Sequence, residues 1–319
     1  MAVPSLQARV ACRLLRQPEE GDLVLGGSSD PKRPIFQRSR CKQEAVNVGL
    51  GGLENSVSFG NSVRFSQAGG QAQDAKDRAI LVQTAGNVEA LLSAGLSLRA
   101  PLDKESLNPG AFGENLFLDS GLSSETLCVG DELECWRNDA QQPLRLQVSS
   151  PRLPCQKVDQ MLGKTFTADG VRAHCARTGR AGFFLRTLVP GDLREGDILQ
   201  LAARPNPDWT LSRVSSLMYG NRKVVMEYSM RGREAAKNGH TPVISKEEFM
   251  GTEQELRELA ALPELSIFEW KEYAVRALDG APIGRYRRRQ SLALPLVLTL
   301  GVAATLAVAL IVQRRSTAK

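Results

Sequence analysis

Turn signals recur about every dozen residues through the middle of the chain, and this spacing constrains the fold more than any other feature. Two of these turns are alike: Gly130-Asp131 leads into Glu132–Cys135, and Gly196-Asp197 leads into residues 198–201. After each turn, apolar and polar residues alternate with the period of two that is typical of a strand with one buried face. Many short strands of this kind predict an antiparallel barrel or sandwich. We therefore expect residues 44–214 to form a mainly β domain.

Composition and charge argue against some classes of function. The chain has 319 residues, of which 42% are hydrophobic, so it has room for one large domain and a smaller one. The formal charge is only +6 and 5% of residues are aromatic, with no basic patch interleaved with aromatic residues. This pattern argues against nucleic acid as a partner. The six cysteines include no C-x-x-C pair, and there are two histidines. We expect reduced thiols and no zinc site of the Cys/His kind.

One cysteine stands in an unusual local setting. The strand predicted over residues 144–150 ends in two prolines, which cannot donate to a neighbouring strand. Cys155 follows them, between Arg152 and Lys157. Positive charge on both sides favours the thiolate, which is a nucleophile and a ligand for soft metals. A small buried cysteine beside a turn explains the same pattern, so local chemistry leaves the reactive and the structural interpretations open.

The N-terminal residues 1–43 are interpreted as an extension. They are rich in arginine and poor in acids, as organelle transit peptides are. A frayed tail is the alternative. At the other end, three capping boxes predict a helical extension over residues 215–280; they begin at Ser245, Thr252 and Ser266, each with a glutamate three residues later.

A basic linker, residues 281–291, leads into 21 residues without a charge, residues 292–312. At 1.5 Å per residue such a helix spans about 30 Å, the thickness of a bilayer core. We expect a single transmembrane helix followed by a short tail, residues 313–319. The protein would then be tail-anchored in a membrane, with its bulk facing the cytosol. Basic flanks favour the mitochondrial outer membrane, while the endoplasmic reticulum and a plastid envelope stay open.

Five motifs resemble those of MOSC domains, the domains related to the C-terminal part of molybdenum cofactor sulfurase. In chain order they are Asp77-Arg-Ala79, Ala111-Phe-Gly-Glu-Asn-Leu116, Val129-Gly-Asp131, Val148-Ser-Ser-Pro-Arg-Leu-Pro-Cys155 and Thr178-Gly-Arg-Ala-Gly182. The resemblance covers residues 44–214. Residues 215–280 are similar to the three-helix extension of a stand-alone bacterial subgroup. The resemblance implies a MOSC-type, barrel-like β domain with peripheral helices.

The resemblance also implies a cofactor and a set of site residues. The cofactor is the molybdenum cofactor (Mo-molybdopterin), and pyridoxal phosphate is not expected. Cys155 would be the molybdenum ligand and the catalytic residue. Arg78, Arg152 and Arg180 would meet the phosphate or the pterin, since guanidinium groups offer paired planar donors. Asn115 would bind the pterin edge. Surface or structural ion pairs are the alternative for Arg78 and Arg180.

The implied reaction is the reduction of small N-hydroxylated substrates, such as amidoximes and hydroxylaminopurines, by removal of an oxygen atom. The chain has no flavin, heme or iron–sulfur motif, so separate electron-donor proteins are implied. A non-catalytic, membrane-held carrier of the cofactor or its sulfur and a degenerate MOSC adaptor are the competing hypotheses. One departure bears on all three: many relatives carry His-Gly-Gly-x-x-Arg-Ala, whereas residues 73–77 here read Gln-Asp-Ala-Lys-Asp. A loop of the cofactor or substrate site therefore differs.

Overall fold

The structure, a computed structural model, describes residues 6–15, 39–41, 43–54, 72–96, 107, 109–119, 121–137, 140–154, 158, 170–221 and 250–279. Cys155 and the uncharged segment 292–312 lie outside these residues, so the predictions made for them stay predictions. No helix in the described ranges is both long and apolar enough to cross a bilayer.

The described residues form eleven strands and six α-helices. The strands are β1 (Gln7–Leu15), β2 (Ser39–Arg40), β3 (Val46–Gly49), β4 (Gly52–Leu53), β5 (Ile80–Thr84), β6 (Leu116–Asp119), β7 (Glu132–Cys135), β8 (Leu144–Pro151), β9 (Phe183–Val189), β10 (Gly191–Leu193) and β11 (Ile198–Ala203). The helices are α1 (Ala72–Asp77), α2 (Ala85–Leu92), α3 (Val171–Thr178), α4 (Leu211–Tyr219), α5 (Glu253–Ala261) and α6 (Glu272–Leu278), with a π-helical segment (Ile267–Lys271) directly before α6.

Seven of the described strands close into a barrel in the order β11-β7-β8-β9-β5-β6-β1, because β1 also pairs with β11. Neighbours run antiparallel except β5 and β6, which run parallel. Strand β2 extends the sheet beyond β1, and β10, β3 and β4 form a separate small sheet. The expectation of a mainly β, barrel-like domain is confirmed, and the barrel rather than the sandwich is the form it takes.

The barrel interior follows from the alternation along its strands. Val82 on β5, Val148 on β8 and Phe183 on β9 all belong to the main hydrophobic core. Their neighbours Leu81 and Phe184 point to the other face of the wall, since successive side chains of a strand alternate. These two are also buried, so this part of the wall is covered on both sides. A wall with two buried faces is where a site can be shielded from water.

The two Gly-Asp turns have the same structure, as their sequences predict. In each, the aspartate accepts a hydrogen bond from the backbone N–H three residues earlier, at 2.9 Å for Asp131 and 2.7 Å for Asp197. Gly130 and Gly196 adopt φ of 88° and 92°, the left-handed region that glycine enters without strain. Asp131 is fully buried and also pairs with Arg204 at 2.6 Å. The turn motif is therefore a structural device.

The structure differs from the expectation of an N-terminal extension for residues 1–43, because β1 is a strand of the barrel. Ala8 and Val10 are buried, while Arg9 between them is exposed, so the arginine marks the outer face of a strand. The register shifts after Val10. Arg13 is thereby buried, and its Nη1 donates to Leu193 O at 2.8 Å. An arginine-rich, acid-poor composition alone does not distinguish such a strand from a targeting segment.

The helical extension agrees in part with its predicted caps. Thr252 caps α5 in a complete capping box with Glu255. Ser245 lies outside the described residues. The predicted cap at Ser266 is wrong: the Ser266 side chain caps no backbone amide, and Glu269 instead pairs with Arg78 of the barrel.

Candidate functional site

The wall between β5 and β9 is unusually close-packed at Gly182. A Cβ atom at this position would lie 2.3 Å from Val82 O, and Gly182 adopts φ of 98°. Both observations require glycine here. The Gly182 carbonyl accepts a hydrogen bond from the Arg152 N–H at 2.9 Å. The end of β8 is thereby fixed to the start of β9.

Arg152 is buried and is held against the glycine-rich turn that precedes β6. Its Nη1 donates to Phe112 O. Glu114 in the same turn is fully buried, and its carboxylate accepts from Gly110 N at 2.5 Å and from Phe112 N at 3.1 Å. Burial raises the pKa of Glu114, against the lowering effect of these N–H groups and of the Arg152 charge. Arg152 and Glu114 together fix the turn.

Asn115 ties the start of β6 to β5. Its Oδ1 accepts from Leu81 N at 3.0 Å, and its own N–H donates to Leu81 O at 2.7 Å. The side chain thus continues the strand pairing by one residue. Part of the hydrogen-bonding capacity of Asn115 serves the fold.

Arg78 is buried on the outer face of the wall. Its Nη2 lies 2.7 Å from Glu269 Oε2, and its guanidinium carbon lies 4.6 Å from the centre of the Phe184 ring. Stacking on an aromatic face and pairing with a carboxylate both fix the plane of a guanidinium group. Glu269 belongs to the helical extension, so Arg78 joins the extension to the barrel.

Arg180 is directed away from this group. Its Nη2 lies 2.7 Å from Glu125 Oε1, and its Nη1 lies 3.2 Å from His174 Nε2. Burial, together with the charges of Arg180 and Arg177, lowers the pKa of His174 to about 4, so this imidazole is neutral at pH 7. The Arg180 contacts are those of a structural ion pair, the alternative considered for this residue.

Three of the predicted site residues contact one short piece of the barrel wall. Arg78 stacks on Phe184, Asn115 bonds to Leu81, and Arg152 bonds to Gly182. Leu81 is the strand partner of Phe184, which directly follows residues 182 and 183, so the three contacts adjoin. Arg180 is close in sequence, but its guanidinium is not part of the group.

The donors along this wall fit an oxygen-rich anion. Arg78 and Arg152 supply two buried cations. Ser150, the strand partner of Phe184, is buried, and its hydroxyl has no hydrogen-bond partner in the part of the chain that the structure describes. Guanidinium and hydroxyl groups are suited to phosphate oxygens and to a pterin edge. Within the described ranges, no group of three His, Cys, Asp or Glu side chains could hold a metal ion.

Two further residues were not predicted from the sequence as site residues. Glu114 lies inside a quoted motif, and its position between two glycines and an asparagine is the signal that could have marked it. Glu269 lies 191 positions from Arg78, and no local pattern connects the two.

Comparison with known proteins finds a similarity to the MOSC domain: residues 57–200 match the family model of that description. A protein named "Reductase" from Gibberella moniliformis is 33% identical over 118 residues, which are 37% of this chain. The match covers 19% of that relative, so the chain spans about a fifth of its length.

Solved structures share the fold. YiiM from Escherichia coli superposes with a TM-score of 0.52 at 17% identity, over 86% of this chain and 94% of that one. YiiM from Geobacillus stearothermophilus gives 0.51 at 18% identity, over 85% and 99% of the two chains. A hypothetical protein gives 0.54 at 17% identity, over 87% and 92%. Identities this low establish the likeness of the fold and nothing about activity.

Proposed function

We propose that this MOSC-domain protein binds the molybdenum cofactor and reduces small N-hydroxylated compounds of the amidoxime or hydroxylaminopurine type. The observation that carries the proposal is the convergence of Arg78, Asn115 and Arg152 on one piece of wall, at the end of the strand that leads to Cys155. The partial match to a protein named as a reductase supports a redox role for the domain.

Each site residue would have the role that suits the chemistry of its side chain. Cys155 would supply a thiolate to molybdenum, which suits a soft ligand between two cations. Arg78 and Arg152 would hold the anionic part of the cofactor, with the Ser150 hydroxyl as a further donor. Asn115 would add a hydrogen bond at the pterin edge. The bound cofactor would supply the chemistry of oxygen-atom removal. Arg180 would contribute positive charge beside the site rather than a contact.

The main test is the substitution Cys155→Ala in the full chain. We expect a loss of benzamidoxime reduction of at least a hundredfold with reduced methyl viologen as the electron donor, because the metal loses its protein ligand. The control is Cys41→Ala, which removes a buried thiol outside the proposed site. Molybdenum and oxidised pterin per chain are measured in parallel. Full activity of Cys155→Ala would contradict the proposal.

The same measurements separate the two competing functions. A wild-type chain that carries pterin and molybdenum but does not reduce benzamidoxime or a hydroxylaminopurine would be a carrier of the cofactor or its sulfur. A chain that carries neither would be an adaptor.

We further propose that separate proteins donate the electrons. We also propose that residues 292–312 anchor the protein in a membrane, with the mitochondrial outer membrane favoured. The support is the 21-residue uncharged stretch between basic flanks. Deletion of residues 291–319 should release the protein into the supernatant. If the full-length chain were extracted by a carbonate wash, the anchor would be excluded.

A further inference from the structure

The ion pair between Arg78 and Glu269 links the proposed cofactor site to the helical extension. The Arg78 side chain is 1% exposed and that of Glu269 is 21% exposed. Glu269 is therefore the solvent-side partner of a cation that is itself closed off from water.

The charges around this pair are balanced. Arg186 lies 3.3 Å from Asp77, and both interact with Lys271. Glu264 interacts with Arg186 and with Lys271. Together with the Arg78–Glu269 pair, the described residues here supply three cations and three carboxylates. If Glu269 moved away, the Arg78 guanidinium would lose a carboxylate partner in a largely buried place. Such a site attracts an anion strongly, since a buried charge requires a partner.

The backbone that carries Glu269 is strained. Within the described residues, Glu269 is the one non-glycine residue with a positive φ, at 68°, and it lies in the π-helical segment. Two buried polar atoms, Ser266 Oγ directly before the segment and Trp270 Nε1 within it, have no hydrogen-bond partner among the described residues. π-Helical turns and strained residues concentrate at functional sites because the surrounding contacts must hold them there. The ion pair to Arg78 is one such contact, so releasing it lets the segment relax.

We propose that Glu269 is a resident anion on Arg78, which an anionic group of the cofactor replaces when the site is loaded. The exchange is one carboxylate for one phosphate or comparable anion on the same guanidinium group. The helical extension thereby controls loading: it closes the site while Arg78 is held by Glu269 and is released as the anion binds. This inference rests on the proposed cofactor function.

The test compares Glu269→Gln with wild type in the cofactor-free full chain, with inorganic phosphate as the probe and titration calorimetry as the measurement. Glutamine keeps the size of the side chain and removes the competing charge. We expect phosphate to bind on the order of tenfold more tightly, within the usual range for two coupled ligands. Glu272→Gln is the matched control, since it removes an ion pair to Arg276 one turn further along the extension. Its phosphate affinity should stay within about twofold of wild type.

The double variant Glu269→Gln/Arg78→Gln separates anion exchange from general loosening of the extension. The gain in affinity should vanish in it, because the guanidinium group that receives the phosphate is gone. Equal or weaker phosphate binding by Glu269→Gln would overturn the proposal, as would a gain that persists in the double variant. If Glu269→Gln does not fold, Glu269→Asp, which keeps the charge but withdraws it by one methylene group, should give a smaller gain, and no gain would overturn it.

The outcome for the proposed function is read separately. Absence of pterin and molybdenum from the wild-type chain purified from cofactor-producing cells would refute the cofactor function. Phosphate exchange at Arg78 would then still be decided by the titrations.

Discussion

At the scale of single residues, buried charges in this protein serve different purposes according to their partners. Asp131 is fully buried, pairs with Arg204 at 2.6 Å and caps the turn at Cys128 N. Its counterpart Asp197 makes the same turn contact at Arg194 N. The two aspartates thus make the same turn contact. Asp131 adds an ion pair with Arg204, whereas Asp197 adds a hydrogen bond with the Cys135 side chain.

Asp131→Ala should therefore destabilise the protein by about 3 kcal/mol, because it leaves the Arg204 guanidinium without its carboxylate. Asp197→Ala should cost about 1 kcal/mol, the value of a turn hydrogen bond. Urea unfolding at pH 7 measures both. Equal losses would mean that the ion pair adds nothing beyond the turn.

His174 makes the stability of the protein depend on pH. Its pKa is about 4 in the folded protein, below the ordinary value of 6.5, so protons bind preferentially to the unfolded chain. The stability from the neutral imidazole is complete above pH 6.5 and is lost as the pH falls toward 4.

We expect His174→Gln to reduce this loss by about 1 kcal/mol, allowing for solvent screening. Arg177→Gln should reduce it less, since it removes one of the charges that depress the pKa. Urea unfolding at pH 7, 6, 5 and 4.5 reports the slope, and identical slopes in wild type and His174→Gln would refute this account.

At the scale of elements, the contact of β5 with β9 depends on one backbone approach. Gly182→Ala would place a methyl group 2.3 Å from Val82 O, and a backbone oxygen cannot be moved without disturbing the strand. Gly196 has a similar φ of 92°, but nothing lies within 4 Å of its added methyl group. Comparing alanine substitutions at the two glycines therefore separates the cost of steric overlap from the cost of backbone strain.

Gly196→Ala should cost about 1 kcal/mol, the strain of a left-handed alanine. Gly182→Ala should cost at least about 3 kcal/mol or prevent folding, because overpacking adds to the same strain. Thermal unfolding and the yield of soluble protein are the measurements. A similar melting temperature for the two variants would show that the wall can adjust.

Sequence reasoning succeeds here where the signal is local. The Gly-Asp turns, the strand that ends at Pro151 and the Thr252 cap each depend on residues a few positions apart, and each is found as predicted. It fails at Ser266, where the same capping pattern is present but a distant cation takes the glutamate. A partner 191 positions away leaves no trace in a local pattern.

At the scale of the whole molecule, the barrel is closed by the strand that sequence reasoning placed outside it. Only Arg9 lies between the interior positions Ala8 and Val10, and the register shifts after Val10, so the alternation is too short to be recognised as a strand. Once the barrel is closed, Arg9 is an outer residue that pairs with Asp119.

Val10→Asp should prevent folding or cost about 4 kcal/mol, because it buries an unpaired carboxylate in the barrel core. Arg9→Gln should cost less than about 1 kcal/mol, the usual value of an exposed ion pair. Solubility and circular dichroism of the two variants distinguish a structural strand from a removable leader. A soluble, β-rich Val10→Asp protein would show that β1 is dispensable.

Pairing of β1 with β11 also sets the order of events during synthesis. About 190 residues separate the two strands, and at about 5 to 20 residues per second the ribosome needs about 10 to 40 s to make them. During that interval β1 lacks β11, the strand that closes the barrel against it. The exposed Arg9 on its outer face suits such a strand, since charged residues discourage association with other nascent chains. An arginine that looks like part of a targeting signal in the sequence would therefore protect the barrel until its last strand is made.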